Sequence, residues 1–224
     1  ILLFTTKTIT RNTAWKDNFT LFTTDIYISP NSAKLRNGVA GVLLEKGLAE
    51  KNTVRQQELF QEAKGHASKA IEIHPTYKNA YLLLGNANNY LKQYEASIEA
   101  YEQALKIDPD YPDAQQNLAL TYRDAGKYYG QEMGNTQQAI KYLEQANTLL
   151  PNDAEVLRLL GIAYGISQQP QQAVEILEKA ATVAPNNASI LYNLGAAYSS
   201  IGNTEQAANL IAKAKEIDPT IGGN

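Results

Sequence analysis

The chain has 224 residues, a formal net charge of −3 and a sequence pI of about 5.5. Charges of both signs are scattered along it, so it offers no basic stripe to neutralise phosphates, and no nucleic-acid partner is expected. Cysteine is absent, which excludes disulfides, thiolate metal sites and thiol catalysis.

The N-terminal residues are interpreted as the approach to a helical array. Residues 1–12 are predicted to be irregular or the tail of an upstream membrane helix, because the chain opens on the apolar run Ile1-Leu2-Leu3-Phe4 without a methionine. A cut within a soluble protein is the alternative. Residues 13–32 are predicted to form one capping helix that stops before Pro30, since proline cannot continue a helix.

Five helix pairs are predicted to follow, with a short tail at 222–224; they span residues 33–77, 78–111, 112–153, 154–187 and 188–221. The second pair displays the pattern most clearly, because its apolar residues recur at helical spacing on either side of a polar break at Lys92-Gln93. Its two apolar stripes are Tyr81-Leu84-Ala87 and Ile98-Tyr101-Leu105.

All five pairs share one register when Lys78 is counted as position 1. Small residues occupy positions 8, 20 and 27, as expected where two helices come into close contact. Proline stands at position 32 in each pair, as Pro75, Pro109, Pro151, Pro185 and Pro219. This register resembles the tetratricopeptide repeat (TPR) over residues 33–221. The resemblance implies an all-α, right-handed superhelical solenoid of antiparallel helix pairs, in which each pair buries its apolar face against its neighbours.

Two of the pairs are longer than the second pair, residues 78–111, from which the register is counted. The first carries 11 extra residues between Gly47 and Glu58, and the third carries 8 around Lys127 to Gly134. These excesses are about three and a little over two α-helical turns. They are therefore predicted to lengthen helices, and the first helix of the third pair is expected to protrude with Tyr128 and Tyr129 near its end.

No catalytic constellation of nucleophile, tuned acid or base, or metal ligands is found in the sequence. His66 and His74 lie eight residues apart on one predicted helix, too far to share a metal without a third ligand. The tyrosines at position 11, Tyr122, Tyr164 and Tyr198, are predicted to pack in the seam between helices, although an aromatic ligand cage is an alternative.

The resemblance also implies a binding surface. In TPR proteins the concave face is lined by positions 2, 5, 6, 9, 12 and 13 of each first helix. The candidate peptide-binding residues at or next to these positions are Asn79, Asn86, Asn89, Tyr90, Gln116, Asn117, Arg123, Arg158, Tyr192 and Asn193. Such an amide-rich face suits the backbone of an extended peptide. Replacing Asn86, Asn117 and Asn193 by alanine is expected to weaken binding with little change in melting temperature.

A carboxylate clamp for chaperone tails is not expected, because Leu82 stands where the clamp of some TPR domains places a lysine.

A second, narrower resemblance concerns the N-terminal junction. The stretches at 11–17, 21–22 and 29–34 resemble the join in TMTC-type multi-pass membrane proteins, which are glycosyltransferase-like and carry a C-terminal TPR array. The resemblance implies that catalytic residues lie upstream of Ile1 and that the chain faces the lumen or periplasm. The basic residues Lys7, Arg11 and Lys16 favour the cytoplasmic alternative.

These observations predict a non-catalytic protein-interaction scaffold that needs no cofactor and no metal. It would bind an extended peptide or a partner protein in its concave groove, as the soluble part of a larger, bacterial membrane protein on the extracytoplasmic (periplasmic) face. The membrane would be reached only through a segment upstream of Ile1. The alternative is a self-association module that forms a homodimer through the last helix or the Tyr128-Tyr129 segment.

Overall fold

The computed structural model describes residues 16–222, and this part of the chain contains eleven α-helices and no β-strand. The helices are α1 (Asn18–Ile28), α2 (Ala33–Ala49), α3 (Thr53–Ile73), α4 (Lys78–Tyr90), α5 (Tyr94–Ile107), α6 (Pro112–Gln131), α7 (Thr136–Leu149), α8 (Ala154–Ile166), α9 (Pro170–Val183), α10 (Ala188–Ser200) and α11 (Thr204–Ile217). The predicted all-α fold class is confirmed. The predictions for residues 1–12, for the start of the capping helix at 13–15 and for the last two residues fall outside the described part.

The chain divides into two compact units, of which the first ends at Leu118 and the second begins at Ala119. In the first unit α1 packs on α2, α2 on α3, α3 on α4 and α4 on α5, and α2 also contacts α4. In the second unit α7 packs on α8, α8 on α9, α9 on α10 and α10 on α11, and α8 also contacts α10. Within each unit, therefore, a first helix packs both on its own partner and on the first helix of the next pair, as in a solenoid.

Close helix contact within a pair depends on the small residue at position 8. A Cβ built on Gly85 of α4 would lie 2.4 Å from Cε1 of Tyr101 in α5, and one built on Gly161 of α8 would lie 2.4 Å from Cγ of Leu177 in α9. Ser97 adds a buried hydrogen bond, because its Oγ donates to the carbonyl oxygen of Gly85 at 2.8 Å. Large side chains of the second helix thus fill the space that the glycines leave.

The extra residues of the first and third pairs lie in longer helices. The helices α2 and α3 have 17 and 21 residues, against 13 and 14 in α4 and α5, so the two longer helices take up the whole 11-residue excess. The helix α6 has 20 residues, and a turn over residues 132–135 joins it to α7.

The turns inside the second to fifth pairs share one backbone feature. Each of these four turns has a residue in the left-handed region shortly after the first helix: Lys92 (φ 57°), Gly134 (φ 63°), Gln168 (φ 61°) and Gly202 (φ 82°). The next residue donates its N–H back to the last turn of the helix, as Gln169 does to the carbonyl of Tyr164 at 2.9 Å. This is the Schellman arrangement, which satisfies carbonyls at a helix C-terminus.

Candidate functional site

Asn86 is the centre of a hydrogen-bond network on the exposed side of the first unit. It lies on α4, half-buried, and its Oδ1 accepts the hydroxyl proton of Tyr101 at 2.7 Å and a proton from Nδ2 of Asn117 at 2.9 Å. Tyr101 is only 1% exposed, so its hydroxyl is held in place. Because Oδ1 is occupied twice, the orientation of the Asn86 amide is fixed. Its Nδ2 makes no hydrogen bond to the described residues and remains available as a donor.

Asn79 repeats this arrangement two turns earlier on α4. Its Oδ1 accepts the hydroxyl proton of Tyr111 at 3.2 Å, which again leaves Nδ2 as a free donor. Burial, followed by the negative charges of Asp113 and Asp108, raises the pKa of Tyr111 and keeps that hydroxyl protonated. The ammonium of Lys78 lies 4.7 Å from the centre of the Tyr111 ring and forms an ion pair with Asp108, whose pKa it lowers.

The other predicted residues of the first unit differ in their surroundings. Asn117 donates a hydrogen bond from Nδ2 to Asn86 and keeps its Oδ1 available as an acceptor. Gln116 is exposed and Asn89 is half-buried. Tyr90 is 40% exposed and stacks on Phe60, with ring centroids 4.8 Å apart. Two of the predicted asparagines, Asn79 and Asn86, therefore each accept a tyrosine hydroxyl, Asn117 donates directly to Asn86, and Tyr90 packs on a different neighbour.

The hydrogen bonds of Asn86 revise one expectation. Alanine at Asn86 would leave the buried Tyr101 hydroxyl without that acceptor, and alanine at Asn117 would remove a donor to the same oxygen. An unpaired buried donor is costly. These two side chains therefore support the fold as well as facing solvent, and alanine substitution does not separate the two roles.

In the second unit the predicted arginines are paired with acidic neighbours. Arg158 donates to both carboxylate oxygens of Glu155, at 2.7 and 2.8 Å, and this contact lowers the pKa of Glu155. Arg123 donates to Asp124 at 2.8 and 3.0 Å. Intramolecular pairing makes both guanidinium groups less available for a ligand carboxylate.

Tyr192 and Asn193 lie on α10 and are both half-buried. A Cβ built on Gly222, where φ is 73°, would lie 2.5 Å from Cε2 of Tyr192. The C-terminal turn of the described chain thus covers part of the Tyr192 ring.

The second unit contains an apolar cleft that the repeat pattern does not predict. The cleft has a volume of about 50 Å³ and lies between α6, α7 and α8; its lining residues include Gly130, Ala139, Ile162, Ile166 and Lys127. One sequence signal pointed to it: the 8-residue excess in the third pair places Gly126 and Gly130 one helical turn apart in the extended part of α6.

The position-11 tyrosines pack at contacts between helices. Tyr164 is 8% exposed and donates its hydroxyl proton to Oε1 of Glu144 at 2.7 Å. Burial and this hydrogen bond raise the pKa of Tyr164 to about 12. Tyr198 donates in the same way to Glu178, and the Tyr122 ring lies 6.2 Å from that of Tyr142.

Among residues 16–222, no group of three or more histidine, cysteine or carboxylate side chains is placed to hold a metal ion. Within the same residues, none of the helices has the length and apolar character needed to cross a membrane.

Two curated proteins share sequence with parts of the chain. It is 31% identical over 111 residues to the protein O-mannosyl-transferase Tmtc3 of Drosophila melanogaster, and 24% identical over 97 residues to anaphase-promoting complex subunit 3 of Schizosaccharomyces pombe. The matches cover 49% and 43% of this chain but only 11% and 13% of those proteins.

Solved structures match over most of the chain. YrrB, described as a TPR protein with an unusual peptide-binding site, superposes with a TM-score of 0.59 at 22% identity, over 89% of this chain and 93% of YrrB. MamA from Desulfovibrio magneticus RS-1 superposes with a TM-score of 0.57 at 20% identity, over 85% of this chain and 97% of MamA. At these identities the likeness establishes the fold.

Family profiles agree with the structural likeness. A profile described as TPR repeat matches residues 89–126, and two described as tetratricopeptide repeat match residues 125–153 and 166–220. Together with the repeated register and the packed helix pairs, these matches place the chain in the tetratricopeptide repeat family.

Proposed function

We propose that this chain is a protein-interaction scaffold that binds an extended peptide on the α4 face of its first unit. The observation that carries the proposal is the twofold occupation of Asn86 Oδ1 by Tyr101 and Asn117, which leaves Nδ2 of Asn86 as a donor held in a fixed orientation. A peptide backbone offers the carbonyl oxygen that this donor needs.

The spacing of the free groups favours an extended segment. Asn79 and Asn86 are seven residues apart, which is about two helical turns and about 10 Å along α4. Three residues of extended chain span about the same length, at about 3.3 Å per residue. The two Nδ2 donors can therefore reach carbonyl oxygens of one peptide, while Oδ1 of Asn117 offers an acceptor for a backbone N–H.

Preorganisation favours binding on this face. The amides of Asn79 and Asn86 are already oriented by tyrosine hydroxyls, so less side-chain freedom is lost when a ligand arrives. YrrB supports the general role, since it is a TPR protein described as having a peptide-binding site. The residues proposed here are argued from this chain's own hydrogen bonds.

Asn86→Asp tests the proposal, because aspartate keeps Oδ1 for Tyr101 and Asn117 but replaces the Nδ2 donor by a second acceptor oxygen. Peptides would first be selected on the wild-type chain from a random library of unstructured peptides. Their dissociation constants would then be measured by fluorescence anisotropy. We expect Asn86→Asp to weaken binding about fivefold or more, since a hydrogen bond between neutral groups contributes about 1 kcal/mol and a tenfold change corresponds to about 1.4 kcal/mol.

The matched control is Asn209→Asp, which adds the same charge at an exposed position of α11. It should bind the selected peptides as the wild-type chain does. Equal affinity of the Asn86→Asp variant and the wild-type chain would contradict the proposal.

We also propose that the chain is the soluble part of a larger membrane protein and faces the extracytoplasmic side. Its partial similarity to Tmtc3 supports this context, and that similarity covers only 11% of Tmtc3. An antibody against the chain would detect, in the membrane fraction of the source cells, a protein much heavier than 24.6 kDa that protease added to spheroplasts can digest. A band at the mass of the chain alone in the wash fraction would contradict this context.

A further inference from the structure

We propose that the cleft between α6, α7 and α8 binds one aliphatic side chain of an extended peptide, next to a carboxylate of the same peptide. This cleft, called the notch below, is lined by Gly126, Lys127, Gly130, Gln131, Thr136, Ala139, Leu143, Leu159, Ile162, Ala163 and Ile166. The inference rests on the proposed peptide binding, but it concerns the second unit and a separate set of residues.

The size of the notch fits a single side chain. Its volume is about 50 Å³, whereas about 10–15 Å³ is enough to hold one water molecule. It therefore has room for about four heavy atoms, which is the size of a valine or leucine side chain. Its surface is mainly apolar, and Ile166 on its rim is 65% exposed. An apolar recess with an exposed isoleucine on its rim suits an aliphatic group of a ligand.

The notch follows from the extension of α6. Glycine at two positions lets α6 approach α7: a Cβ on Gly126 would lie 2.5 Å from Cγ of Leu143, and one on Gly130 would lie 3.3 Å from Cβ of Ala139. The helix α6 is seven residues longer than α4 or α8. Its last two turns consequently form a wall beside the exposed end of α8.

The positive charge of Lys127 at the notch favours the second feature of the proposed ligand, its carboxylate. Lys127 is exposed and forms no ion pair with any residue that the structure describes. The nearby cations Arg123 and Arg158 are paired with Asp124 and Glu155, respectively. Lys127 acts electrostatically on Glu155 and helps to lower its pKa, but Glu155 is ion-paired with Arg158, so the ammonium that lines the notch forms no ion pair of its own with the described residues. A carboxylate beside the aliphatic side chain would complete the pairing.

An NMR titration of the full chain tests the inference, with isoleucine δ1-methyl groups labelled. The probe is the capped peptide acetyl-Gly-Ser-Leu-Glu-Ser-Gly-amide, compared with peptides in which alanine replaces leucine or lysine replaces glutamate. The leucine-glutamate peptide should cause saturable shifts of the Ile162 and Ile166 methyl groups. The alanine peptide should bind at least tenfold more weakly, and the lysine peptide at least threefold more weakly.

Three variants separate the contributions. Ile166→Ser should abolish the saturable shift of Ile162, whereas Ile201→Ser should leave it unchanged, since Ile201 is a partly exposed isoleucine that does not line the notch. Lys127→Glu should reverse the preference from the glutamate to the lysine peptide. Equal affinity of the leucine and alanine peptides, shifts confined to other isoleucines, or an unchanged charge preference in Lys127→Glu would overturn the inference.

These experiments distinguish failure of the notch proposal from failure of the proposed peptide binding on the α4 face. Library peptides that lose affinity in Asn86→Asp, together with a leucine-glutamate peptide that leaves the Ile162 and Ile166 methyl groups unmoved, would overturn the notch alone. Saturable shifts at the notch together with full affinity of the Asn86→Asp variant would retain the notch and reject the α4 face.

Discussion

The ring of Tyr101 lies against Gly85, in the space that any other side chain at position 85 would need. A Cβ there would be 2.4 Å from Cε1 and 2.7 Å from Cδ1 of the ring. The same tyrosine is almost completely buried and orients Asn86 through its hydroxyl. The packing of one helix pair and the geometry of the candidate site therefore depend on one side chain.

Gly85→Ala should destabilise the chain by about 1–3 kcal/mol, because Tyr101 must move to admit the methyl group. Urea unfolding followed by circular dichroism would measure the change. The matched control is Gly65→Ala in α3, where no heavy atom lies within 4 Å of the added Cβ. Alanine favours a helix interior over glycine by about 1 kcal/mol, so the control should be more stable than the wild-type chain. A stabilised Gly85→Ala variant would contradict the packing described.

Asn86→Ala and Asn86→Asp should differ in stability. Alanine removes the acceptor of the buried Tyr101 hydroxyl and of Asn117, and this should cost about 1–3 kcal/mol. Aspartate keeps that acceptor and should cost less than alanine does. The comparison needs only the free energies of unfolding of the two variants at neutral pH. Equal losses would indicate that the hydrogen bonds to Oδ1 contribute nothing.

The turn between α8 and α9 contains a strained backbone conformation that a glycine would relieve. Gln168 has a φ of 61°, whereas the corresponding residue between α10 and α11 is Gly202, with a φ of 82°. A left-handed conformation costs a non-glycine residue about 1–2 kcal/mol, part of which is offset by the greater freedom of glycine in the unfolded chain. We expect Gln168→Gly to raise the free energy of unfolding by about 0.5–1 kcal/mol and Gly202→Ala to lower it. Changes of the opposite sign would exclude this account of the turns.

The alkaline stability of the chain should depend on Tyr164. Its folded pKa is raised to about 12 from an ordinary value of 10.0. The unfolded chain therefore loses this proton first, and the stabilisation is complete below about pH 10 and is lost as the pH rises towards 12. Between these values, stability should fall more steeply in the wild-type chain than in Tyr164→Phe. Parallel pH profiles of the two proteins would argue against a raised pKa of Tyr164, and so against the combined effect of its burial and its hydrogen bond to Glu144.

The sequence predicted the fold class because TPR packing requires small residues at regularly spaced positions. Where a large side chain of the second helix packs against the first helix, the first helix needs a glycine, as at Gly85 and Gly161. This contact recurs every 34 residues unless the helices are extended. The length of the two insertions also predicted longer helices, since whole turns can be added without rotating the buried face. The helices α2, α3 and α6 have the corresponding extra length.

The candidate site was only partly predictable. The repeat register could suggest which face Asn79 and Asn86 occupy, but it could not tell which amide atoms are already hydrogen-bonded. The partners of Asn86 are 15 and 31 residues away in sequence. The pairing of Arg158 with Glu155 was also missed, although the i, i+3 spacing of opposite charges on one helix is a signal for it. The notch depends on how α6 passes α7, which no local pattern specifies.

The most direct test of the central claim is to follow the side-chain amide resonances of Asn79 and Asn86 while a selected peptide is added. Nitrogen-15 NMR resolves the two Nδ2 protons of each asparagine. We predict saturable downfield shifts for both residues, with the same dissociation constant as the anisotropy measurement, because both Nδ2 groups would then donate to peptide carbonyl oxygens. Saturable peptide binding with these resonances unmoved would contradict the account and place the binding surface elsewhere.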